Sequence, residues 1–595
     1  MVAASVSFEM HVADDAAPDA QQLFLTASSI VKRMNKAPLG VGPPAPDLQR
    51  FTIFEGVSQS ERESFLAAVL EKGPMADRAI GALVGLAVSD AVGAPLEFMS
   101  ACNAGSFFDT ETLTYTEKFN KFSLKPGQWT DDCSMGLCMA DSLILRGSYD
   151  GSDMRVRFWN WWFCGYDNAF RNDQERSGSV GLGGNIAQSL RSMTDAAPAP
   201  RYEAGTEDAG NGSLMRLAPV PIFFHKDPLA AAKWSEESSY TTHPGPIAAA
   251  VCSFLGFVIA KAIGRGSTPA SSAAAFLDKC VGEYLEHVGL REEPVHEAHT
   301  GPNRVLWRLL SSAEPVGSKE QCWNWRDPAG PFIEETLLTR GSSYNGYPVS
   351  AGYFGSYAPD GLAVALHSVY HTNSFMAAIG KCVNLRGDAD STGAIAGQIA
   401  GAFYGLRQID PRCIANMEQW DDGEISTRAA LLFVFGSYGA IPEAISSGPT
   451  KAASSFEANV DMDDGAGFHY AMPRDNCPHL GSIGRWTVPP TATCQVCGET
   501  EVWVCATTGH IGCSRYKQGH AAKYAEETGH CVALSLSDLS FWCFKCDAYL
   551  DFYKIKELQP LYSDCHFAKF GTRPLFPETD CGGTKASGAS SSSAM

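Results

Sequence analysis

The sequence predicts an all-α domain over residues 76–443, followed by a compact cysteine- and histidine-rich module over residues 475–555. In the first region apolar residues recur at helical spacing, as in Ile80, Leu83 and Ala87, and glycine-rich loops separate the helical patterns. Segments that alternate between apolar and polar residues, as half-buried strands do, are few there. The second region has the ligand density of a small domain that is stabilised by metal.

The remaining segments have the composition of extensions and linkers. Residues 1–75 are poorly patterned and include the proline- and glycine-rich stretch 37–46, so we expect an N-terminal extension that is partly disordered. Residues 444–474 contain small residues followed by acidic ones, which indicates a linker. Residues 556–595 end in a glycine- and serine-rich run and are expected to form a largely disordered tail.

The composition allows a sizeable core and disfavours nucleic acid as a partner. Hydrophobic residues make up 45% of the chain, which argues against wholesale disorder. The formal net charge is -20, whereas a protein that binds duplex nucleic acid needs a basic face to neutralise phosphates. No run of Lys and Arg is dense enough to reverse this expectation.

Neither a secretory signal nor a membrane span is predicted. The first residues include Asp14 and Asp15 and lack a basic start followed by an apolar core. The most apolar stretch, 247–260, is shorter than the roughly 20 residues of a membrane span and is expected to be a buried helix. Eight of the 19 cysteines lie between Cys477 and Cys546, which favours zinc in a reducing compartment over a disulfide framework. The chain is therefore predicted to be cytoplasmic or nuclear.

Two short acidic clusters are the main chemical signals in the middle of the chain. The segments Thr130–Asp132 and Asp388–Ser391 each precede a helix-forming run. Taken singly, each is most simply a helix cap, because Asp and Thr oxygens accept the free N–H groups of a first turn. Together they offer four carboxylates and two hydroxyls, which are the ligands that hard divalent cations prefer. Spacing alone does not show that the two clusters meet.

Five motifs, in order along the chain, resemble those of the ADP-ribosylglycohydrolase family. They indicate that the domain over about residues 76–443 resembles this family. They are Gly81-Ala-Leu-Val-Gly-Leu-Ala-Val-Ser-Asp90-Ala-Val-Gly-Ala-Pro-Leu-Glu97, Trp129-Thr-Asp-Asp-Cys-Ser-Met135, Asn211-Gly-Ser-Leu-Met-Arg216, Thr242-His-Pro244 and Asn384-Leu-Arg-Gly-Asp-Ala-Asp-Ser-Thr-Gly393. Any one motif alone is weak, but five in the right order make the resemblance strong. It implies an all-α domain with two magnesium or manganese ions in a central cleft.

The resemblance implies roles for residues within these motifs. The implied ligands of the magnesium or manganese ions are Thr130, Asp131, Asp132, Asp388, Asp390 and Ser391. Glu97 is implied to lie near the metals and to gate or assist the reaction. Hydrolysis at the anomeric carbon needs a proton-transfer group, for which the sequence leaves four catalytic candidates: Glu97, Asp131, Asp388 and Asp390. The implied substrate contacts in the third and fourth motifs are Asn211, Gly212, Ser213 and His243.

Other substrate contacts have two interpretations each. The loop that carries Ser179, Gly181 and Gly183 either lets backbone N–H groups approach a diphosphate or is only a flexible connection. Tyr357 corresponds either to a ribose-contacting aromatic residue of the family or to a core residue. His243 either contacts the ligand or caps a helix beside the following proline, and the family match favours the ligand.

Three departures from the family pattern leave every carboxylate in place. Ser89 stands where Gly is frequent, Arg386 stands where the last motif commonly has Gly, and Ser391 stands where Thr is more usual. Because no departure removes a carboxylate, and Ser391 retains the hydroxyl, we expect a functional site. Arg386 either narrows the cleft or binds phosphate.

The cysteines and histidines of the C-terminal module are paired as structural zinc ligands are, and a core of free thiols is the weaker alternative. Their pattern resembles the UBP-type zinc finger, which implies a small α+β fold with two zinc ions in this chain. The implied zinc ligands are Cys477, His479, Cys543 and Cys546 in one site, and Cys494, Cys497, Cys513 and His520 in the other. A third site of the family would use Cys505, position 508, position 524 and His530. This chain has Thr508 and Tyr524 there, so we expect no zinc at that site.

The resemblance also implies that the finger binds the free C-terminal Gly-Gly tail of ubiquitin. In the family an Arg binds the terminal carboxylate, and aromatic rings line a slot for the tail. The matching residues are Trp503, Arg515, Tyr516, Trp542, Phe544 and Tyr549. The aromatic residues are alternatively core residues, whereas a buried Arg515 would need an anionic partner.

Together these observations predict a metal-dependent hydrolase that removes ADP-ribose from a modified protein and is targeted by a finger that binds the tail of ubiquitin. The alternative is a catalytically weak scaffold that binds ADP-ribose or a nucleotide and whose main role is ubiquitin binding. A hydrolase of another N- or O-ribosyl link is a third interpretation. The sequence leaves open the scissile linkage, the choice between magnesium and manganese, the oligomeric state and the role of residues 1–75.

Overall fold

A computed structural model describes residues 11–12, 17–440, 474 and 476–570, apart from short gaps within these ranges. The gaps are 43–44, 103–104, 177, 205–208, 267–271, 342, 345–346, 487–491, 501, 515–517, 537–538, 547, 551 and 553. The chain forms two compact units, Met1–Tyr470 and Ala471–Met595. The predicted linker 444–474 lies, except for residue 474, outside the described residues.

The first unit is largely helical, as predicted. In chain order its helices are α1 (Pro18–Arg33), α2 (Gln59–Leu70), α3 (Pro74–Gly93), α4 (Asp131–Arg146), α5 (Gly151–Cys164), α6 (Gly184–Arg191), α7 (Pro219–Phe223), α8 (Pro228–Ser239), α9 (Pro246–Ile263), α10 (Ala273–His287), α11 (Pro302–Ser311), α12 (Ile333–Arg340), α13 (Ala358–Tyr370), α14 (Phe375–Val383), α15 (Ala389–Tyr404), α16 (Pro411–Asp421) and α17 (Glu424–Tyr438). Short antiparallel strand pairs accompany them: β1 (His11–Val12) with β6 (Gly439–Ala440), β2 (Phe108–Asp109) with β3 (Thr114–Tyr115), and β4 (Ser343–Tyr344) with β5 (Tyr347–Pro348).

Helices α3 and α15 are antiparallel and approach each other along a line of glycines. A Cβ built on Gly85 would lie 2.4 Å from the carbonyl oxygen of Gly397, and one built on Gly93 would lie 2.3 Å from that of Ala389. These separations are well inside van der Waals contact, so only glycine lets the two backbones come this close. The Ala- and Gly-rich segment 395–403 is thus part of a closely packed helix. The contact places the C-terminal end of α3 beside the N-terminal end of α15.

Helix α9 is the buried helix predicted from the apolar stretch 247–260. Its residues are apolar on nearly all sides, as expected of a helix inside the core of a large domain. By length and composition both α9 and the segment Pro74–Leu96 would be able to cross a membrane, but most of each is buried inside the protein. Both are therefore core helices of the first unit.

The N-terminal segment 1–75, expected to be a partly disordered extension, contains two helices in its described part. In its described part α1 buries Leu23 and Phe24, and the ring of Phe24 makes an edge contact with Phe435 of α17 at 5.7 Å between centroids. Helix α2 begins with a capping box at Ser58 and also contacts α17. In both helices apolar residues at helical spacing cover the core, and the proline- and glycine-rich stretch lies between them.

The second unit contains a five-stranded antiparallel sheet, which confirms the predicted α+β fold. Its strands are β7 (Val502–Cys505), β8 (Ile511–Cys513), β9 (Val532–Ser535), β10 (Phe541–Cys543) and β11 (Ala548–Leu550), in the spatial order β11-β10-β9-β7-β8. Helix α18 (His520–Thr528) contacts β7 and β8. Of the predicted zinc ligands, His520 begins α18, and Cys513 and Cys543 end β8 and β10, whereas the others lie in turns and loops.

The predicted C-terminal tail, 556–595, begins with a helix. Residues 559–570 form helix α19 (Gln559–Phe570), which buries Leu561, Tyr562 and Cys565 in the core of the second unit. The ring of Tyr562 stacks on Phe552 at 3.9 Å between centroids. The finger unit therefore extends at least to α19, because these apolar side chains complete its small core. Residues 571–595 lie outside the described part of the chain.

Candidate functional site

The C-terminal part of α3 and the N-terminal ends of α4 and α15 meet at a cluster of buried carboxylates. Carboxylate oxygens of Asp90, Asp132 and Asp390 lie within 4.8 Å of one another, and so do those of Glu97, Asp388 and Asp390. All five residues are buried, and Asp390 belongs to both groups. The two acidic clusters of the sequence thus meet in space, and we call these five residues the acidic cluster.

Asp90 is a member of the acidic cluster that sequence reasoning missed. Its carboxylate accepts hydrogen bonds from the backbone N–H groups of Thr130 and Cys133, both at 3.0 Å, at the start of α4. The side chain of Thr130 makes no such cap bond, and that of Asp388 makes none at α15. The capping interpretation is therefore wrong for these two residues, whose oxygens face the cluster instead. The sequence signal that pointed to Asp90 is that it lies in the same motif as Glu97.

The Thr130 hydroxyl lies among three carboxylates, 3.0 Å from Asp90, 2.9 Å from Asp132 and 3.5 Å from Asp390. A single hydroxyl hydrogen can satisfy only one of these acceptors. In addition, Oε2 of Glu97 and Oδ1 of Asp132 are buried and have no hydrogen-bond partner among the described residues. Buried carboxylate oxygens without donors are unfavourable, and a divalent cation with oxygen ligands compensates them. The donor set therefore fits a hard divalent cation.

Burial and mutual repulsion disfavour the charged forms of these carboxyl groups. Burial raises the pKa of Asp90 to about 7. Burial and then the charge of Asp388 raise the pKa of Glu97, and burial and then the charge of Glu97 raise the pKa of Asp390. The pKa of Asp132 is raised by burial and then by the charge of Asp90. Such a cluster is stable near neutral pH only when it is partly protonated or neutralised by cations.

The predicted metal ligand Asp131 faces the glycine loop that precedes α6. A Cβ built on Gly181 would lie 2.0 Å from Oδ1 of Asp131, and Gly181 has a φ of +91°. Both facts require glycine at this position. The hydroxyl of Ser179 donates to the carbonyl oxygen of Trp161 at 2.5 Å and anchors the loop, and Gly183 directly precedes α6. The loop is therefore held beside a metal-motif carboxylate.

The Asn-Gly and Thr-His-Pro motifs adjoin the acidic cluster. Nδ2 of Asn211 donates to Oδ2 of Asp388 at 2.8 Å. The ring of His243 lies against Gly212, since a Cβ built on that glycine would be 3.0 Å from Cε1 of the imidazole. Burial, and then the charge of Arg216, lower the pKa of His243 to about 3. The imidazole is therefore neutral at physiological pH.

Of two further predicted substrate contacts, Ser213 lies in the core and Tyr357 lies at a cavity. The Ser213 side chain is fully buried, and its hydroxyl accepts a hydrogen bond from Ser239 at 2.9 Å, so it lies in the core. Tyr357 is half-buried directly before α13 and lines a cavity of about 330 Å³, together with Arg308 and Arg340. Of the two, only Tyr357 has its side chain at an open space.

The contacts of Arg386 and Ser391, two residues that depart from the family pattern, are also described by the structure. The Arg386 side chain is buried, and its guanidinium lies 4.4 Å from the ring centroid of Phe107. Ser391 is buried in the first turn of α15, where its backbone N–H donates to Oδ1 of Asp390 at 2.9 Å. The aromatic ring thus holds the arginine, and the serine hydroxyl is next to the acidic cluster.

The two predicted zinc ligand sets are each gathered within 4.8 Å, which supports zinc binding. They are Cys477, His479, Cys543 and Cys546, and Cys494, Cys497, Cys513 and His520. The Sγ atoms of Cys477 and Cys546 are 3.7 Å apart, and those of Cys497 and Cys513 are 3.8 Å apart. These distances are too long for disulfides and match the edge of about 3.8 Å expected for a tetrahedron with Zn–S bonds of about 2.3 Å. The geometry favours zinc over a core of free thiols.

At the position of the third zinc site, polar side chains replace two of the ligands. The hydroxyl of Tyr524 donates to Oγ1 of Thr508 at 3.0 Å, and its ring stacks on His510 at 3.9 Å between centroids. The Cys505 side chain is buried in the core of the finger unit, and His530 follows α18. The hydrogen bond thus connects two positions that zinc would connect in the family, and the ring stack fixes Tyr524 against a residue outside that site.

The predicted ubiquitin contacts are only partly within the described residues. Arg515 and Tyr516 lie outside them, and Tyr549 is placed only by its backbone pairing with Trp542 across β10 and β11. Trp542 is buried, as its core alternative expects. The rings of Trp503 and Phe544 are half-buried, with centroids 6.5 Å apart. These two rings are the described candidates for lining a slot.

The first unit is similar to known glycohydrolases of ADP-ribose. The family model described as ADP-ribosylglycohydrolase matches residues 72–435. ADP-ribosylarginine hydrolase Tri1 of Serratia proteamaculans is 29% identical over 357 residues, which cover 60% of this chain and 79% of that protein. ADP-ribosyl-[dinitrogen reductase] glycohydrolase of Rhodospirillum rubrum is 26% identical over 363 residues, which cover 60% of this chain and 97% of that protein.

The finger unit has relatives of its own. The family model described as Zn-finger in ubiquitin-hydrolases and other protein matches residues 494–555. NAD-dependent deacetylase sir2A of Dictyostelium discoideum is 47% identical over 58 residues, which cover 10% of this chain and only 11% of that protein. The likeness is therefore confined to the finger.

The helical fold and its buried carboxylates define a hydrolase of glycosyl links to ADP-ribose, joined to a zinc-binding module. The chain belongs to the ADP-ribosylglycohydrolase family, and its second unit is a UBP-type zinc finger.

Proposed function

We propose that this chain removes ADP-ribose from arginine side chains of modified proteins, in a reaction that depends on magnesium or manganese. The observation that carries the metal dependence is the buried Oδ1 of Asp132, which lacks a donor among the described residues and lies in a cluster of buried carboxylates. The arginine linkage is suggested by the similarity to the ADP-ribosylarginine hydrolases of Serratia proteamaculans and Pseudomonas putida.

The side chains of the acidic motifs would hold the cations. They are Thr130, Asp131, Asp132, Asp388, Asp390 and Ser391. When bound, such cations supply charge that holds ribose hydroxyls and acidifies a bound water. Asn211 keeps Asp388 in place through its amide hydrogen bond. Glu97 lies outside the two helix N-termini and has an unpartnered oxygen, so we assign it the transfer of a proton between water and the leaving group.

The test is release of ADP-ribose from a peptide with an arginine-linked ADP-ribose, using protein stripped of metal and then supplied with magnesium or manganese. We expect activity only after cation is added. Asp132→Asn and Glu97→Gln should each lower kcat by about 100-fold or more. The exposed Asp195→Asn is the matched control for loss of one carboxylate.

Three outcomes would contradict the proposal. Full activity without cation would refute the metal dependence, and cleavage of a serine-linked peptide alone would refute the arginine linkage. Binding of ADP-ribose with no turnover at any cation concentration would instead support the scaffold alternative.

We further propose that the finger binds the free C-terminal tail of ubiquitin and thereby brings the hydrolase to ubiquitin or its modified forms. Support comes from the two zinc ligand sets, the half-buried rings of Trp503 and Phe544 and the family of the finger. A short linker raises the effective concentration of a tethered partner to about the millimolar range, so weak binding suffices.

Calorimetry of the full chain tests the ubiquitin proposal. Ubiquitin should bind, whereas ubiquitin without its last two glycines should not, because the tail would supply the terminal carboxylate. Arg515→Ala should abolish the heat of binding, and Lys554→Ala, elsewhere on the finger, should not. Equal heats for both forms of ubiquitin would remove the tail-binding role.

A further inference from the structure

Arg216, the last residue of the Asn-Gly motif, is fully buried and has no carboxylate partner among the described residues. Its Nη2 donates to two neutral oxygens, Oγ1 of Thr241 at 3.1 Å and Oγ1 of Thr242 at 2.7 Å. Its guanidinium also lies 4.5 Å from the ring centroid of Phe158. A buried cation held only by neutral acceptors lowers stability, so its retention indicates a role beyond packing.

The hydrogen atoms around Arg216 have one consistent arrangement. A guanidinium is a donor only, so the oxygens of Thr241 and Thr242 must both accept from it. The hydroxyl hydrogen of Thr241 is used by the carbonyl oxygen of Ser238 at 2.6 Å. Oγ1 of Thr242 lies 2.8 Å from Nδ1 of His243, and no other acceptor for its hydrogen occurs among the described residues. Thr242 therefore donates to Nδ1, and the ring proton of His243 is on Nε2.

We propose that Arg216 is a positioning residue that acts through Thr242 to hold His243 as the Nε2–H tautomer. The imidazole then presents a neutral hydrogen-bond donor beside the Asn211–Gly212 turn. The Nε2 edge faces this turn, since a Cβ built on Gly212 would lie 3.2 Å from Nε2. The matching ligand group is an oxygen acceptor, namely a ribose hydroxyl or phosphate oxygen of ADP-ribose. The ligand part of this inference rests on the proposed function, whereas the tautomer does not.

The charge of Arg216 acts in the same direction as the hydrogen bonds. Burial lowers the pKa of Arg216 only to about 10, so the guanidinium is charged at physiological pH. That charge opposes a second proton on His243, whose pKa burial already lowers. His243 is thereby excluded as a proton carrier and serves only as a donor, which leaves proton transfer to the carboxylates.

The tautomer can be measured directly on the full chain without substrate. In a protein labelled with ¹⁵N-histidine, long-range proton–nitrogen spectra distinguish a protonated ring nitrogen from a bare one. We expect His243 to show a bare Nδ1 and a protonated Nε2, with its signals assigned by their loss in His243→Gln. His225 is an internal reference of the opposite kind, because its Nδ1 lies 2.8 Å from the carbonyl oxygen of Ile222 and must carry the proton.

Variants of Thr242 connect the tautomer to Arg216. Thr242→Val keeps the side-chain shape without the hydroxyl, so His243 should no longer show only a bare Nδ1 and a protonated Nε2. Thr242→Ser keeps the hydroxyl and should retain this result. Arg216→Lys should weaken the preference, because an ammonium group does not span both threonines. A protonated Nδ1 in the wild-type protein, or an unchanged tautomer in Thr242→Val, would overturn the proposal. Since no turnover is involved, these outcomes are independent of whether the proposed reaction is found.

Discussion

The side-chain amide of Asn211 donates to Oδ2 of Asp388 at 2.8 Å and so joins the Asn-Gly motif to the acidic cluster. One hydrogen bond therefore fixes the relative position of a predicted substrate contact and a predicted metal ligand. The two residues are far apart in the sequence, and the contact connects the turn before α7 with the start of α15.

The first prediction concerns this hydrogen bond. Asn211→Ala should lower kcat/KM by about 10- to 100-fold, because hydrogen bonds to charged groups contribute about 1.5–3 kcal/mol. The measurement is release of ADP-ribose under saturating cation. Asn303→Ala, at an exposed position of α11, is the control and should leave the rate unchanged. Wild-type kinetics in Asn211→Ala would show that the bond has no part in catalysis.

The second prediction concerns the glycine contact between α3 and α15. Gly397→Ala should destabilise the first unit by about 1–3 kcal/mol, because a Cβ there would lie 2.2 Å from the carbonyl oxygen of Gly85. Gly282→Ala in α10, where no atom lies within 4 Å of the added Cβ, should stabilise by about 0.5–1 kcal/mol. Urea unfolding measures both effects. Equal behaviour of the two variants would contradict the close approach.

The third prediction concerns acid stability. Burial lowers the pKa of His225 to about 4, so the unfolded chain takes up the proton first as the pH falls below about 6.5. Stability from this group is therefore complete above pH 6.5 and decreases towards pH 4. Between pH 7 and pH 5 this group should contribute a loss of about 2 kcal/mol, so the total loss in His225→Gln should be smaller than in the wild-type protein by that amount.

Urea unfolding at the two pH values measures this difference. His296→Gln, at an exposed position, controls for the removal of an imidazole and should retain the wild-type loss. An identical loss in His225→Gln and the wild type would show that His225 does not contribute to acid sensitivity.

The fourth prediction concerns the zinc content of the finger. Elemental analysis of the purified full chain should give two zinc ions per molecule, one for each ligand set. Cys477→Ser should lower the ratio by one, because a tetrahedral site that loses a thiolate binds zinc much more weakly. Cys505→Ser, which removes a buried thiol outside both sets, should keep the ratio at two. A loss of zinc in Cys505→Ser would instead indicate a ligand at the third position.

The sequence by itself determined the helical class of the first unit, the two acidic motifs and the paired cysteine and histidine ligands of the finger, whereas the division of those ligands into two zinc sites came from the resemblance to the UBP-type finger. These features are readable because the chemically decisive residues lie in short motifs whose spacing is local. The buried helix at 247–260 was readable for the same reason, since a long apolar run has few alternatives inside a large domain.

Only the tertiary structure decided which side chains face one another. Asp90 caps α4 and joins the acidic cluster, Ser213 lies in the core, and Arg216 reaches His243 through Thr242. Helices at both ends of the chain also pack on cores that the local pattern had not assigned to them. The physical reason is that helix packing brings distant residues together, and the partner of a buried polar group depends on that packing rather than on neighbours in sequence.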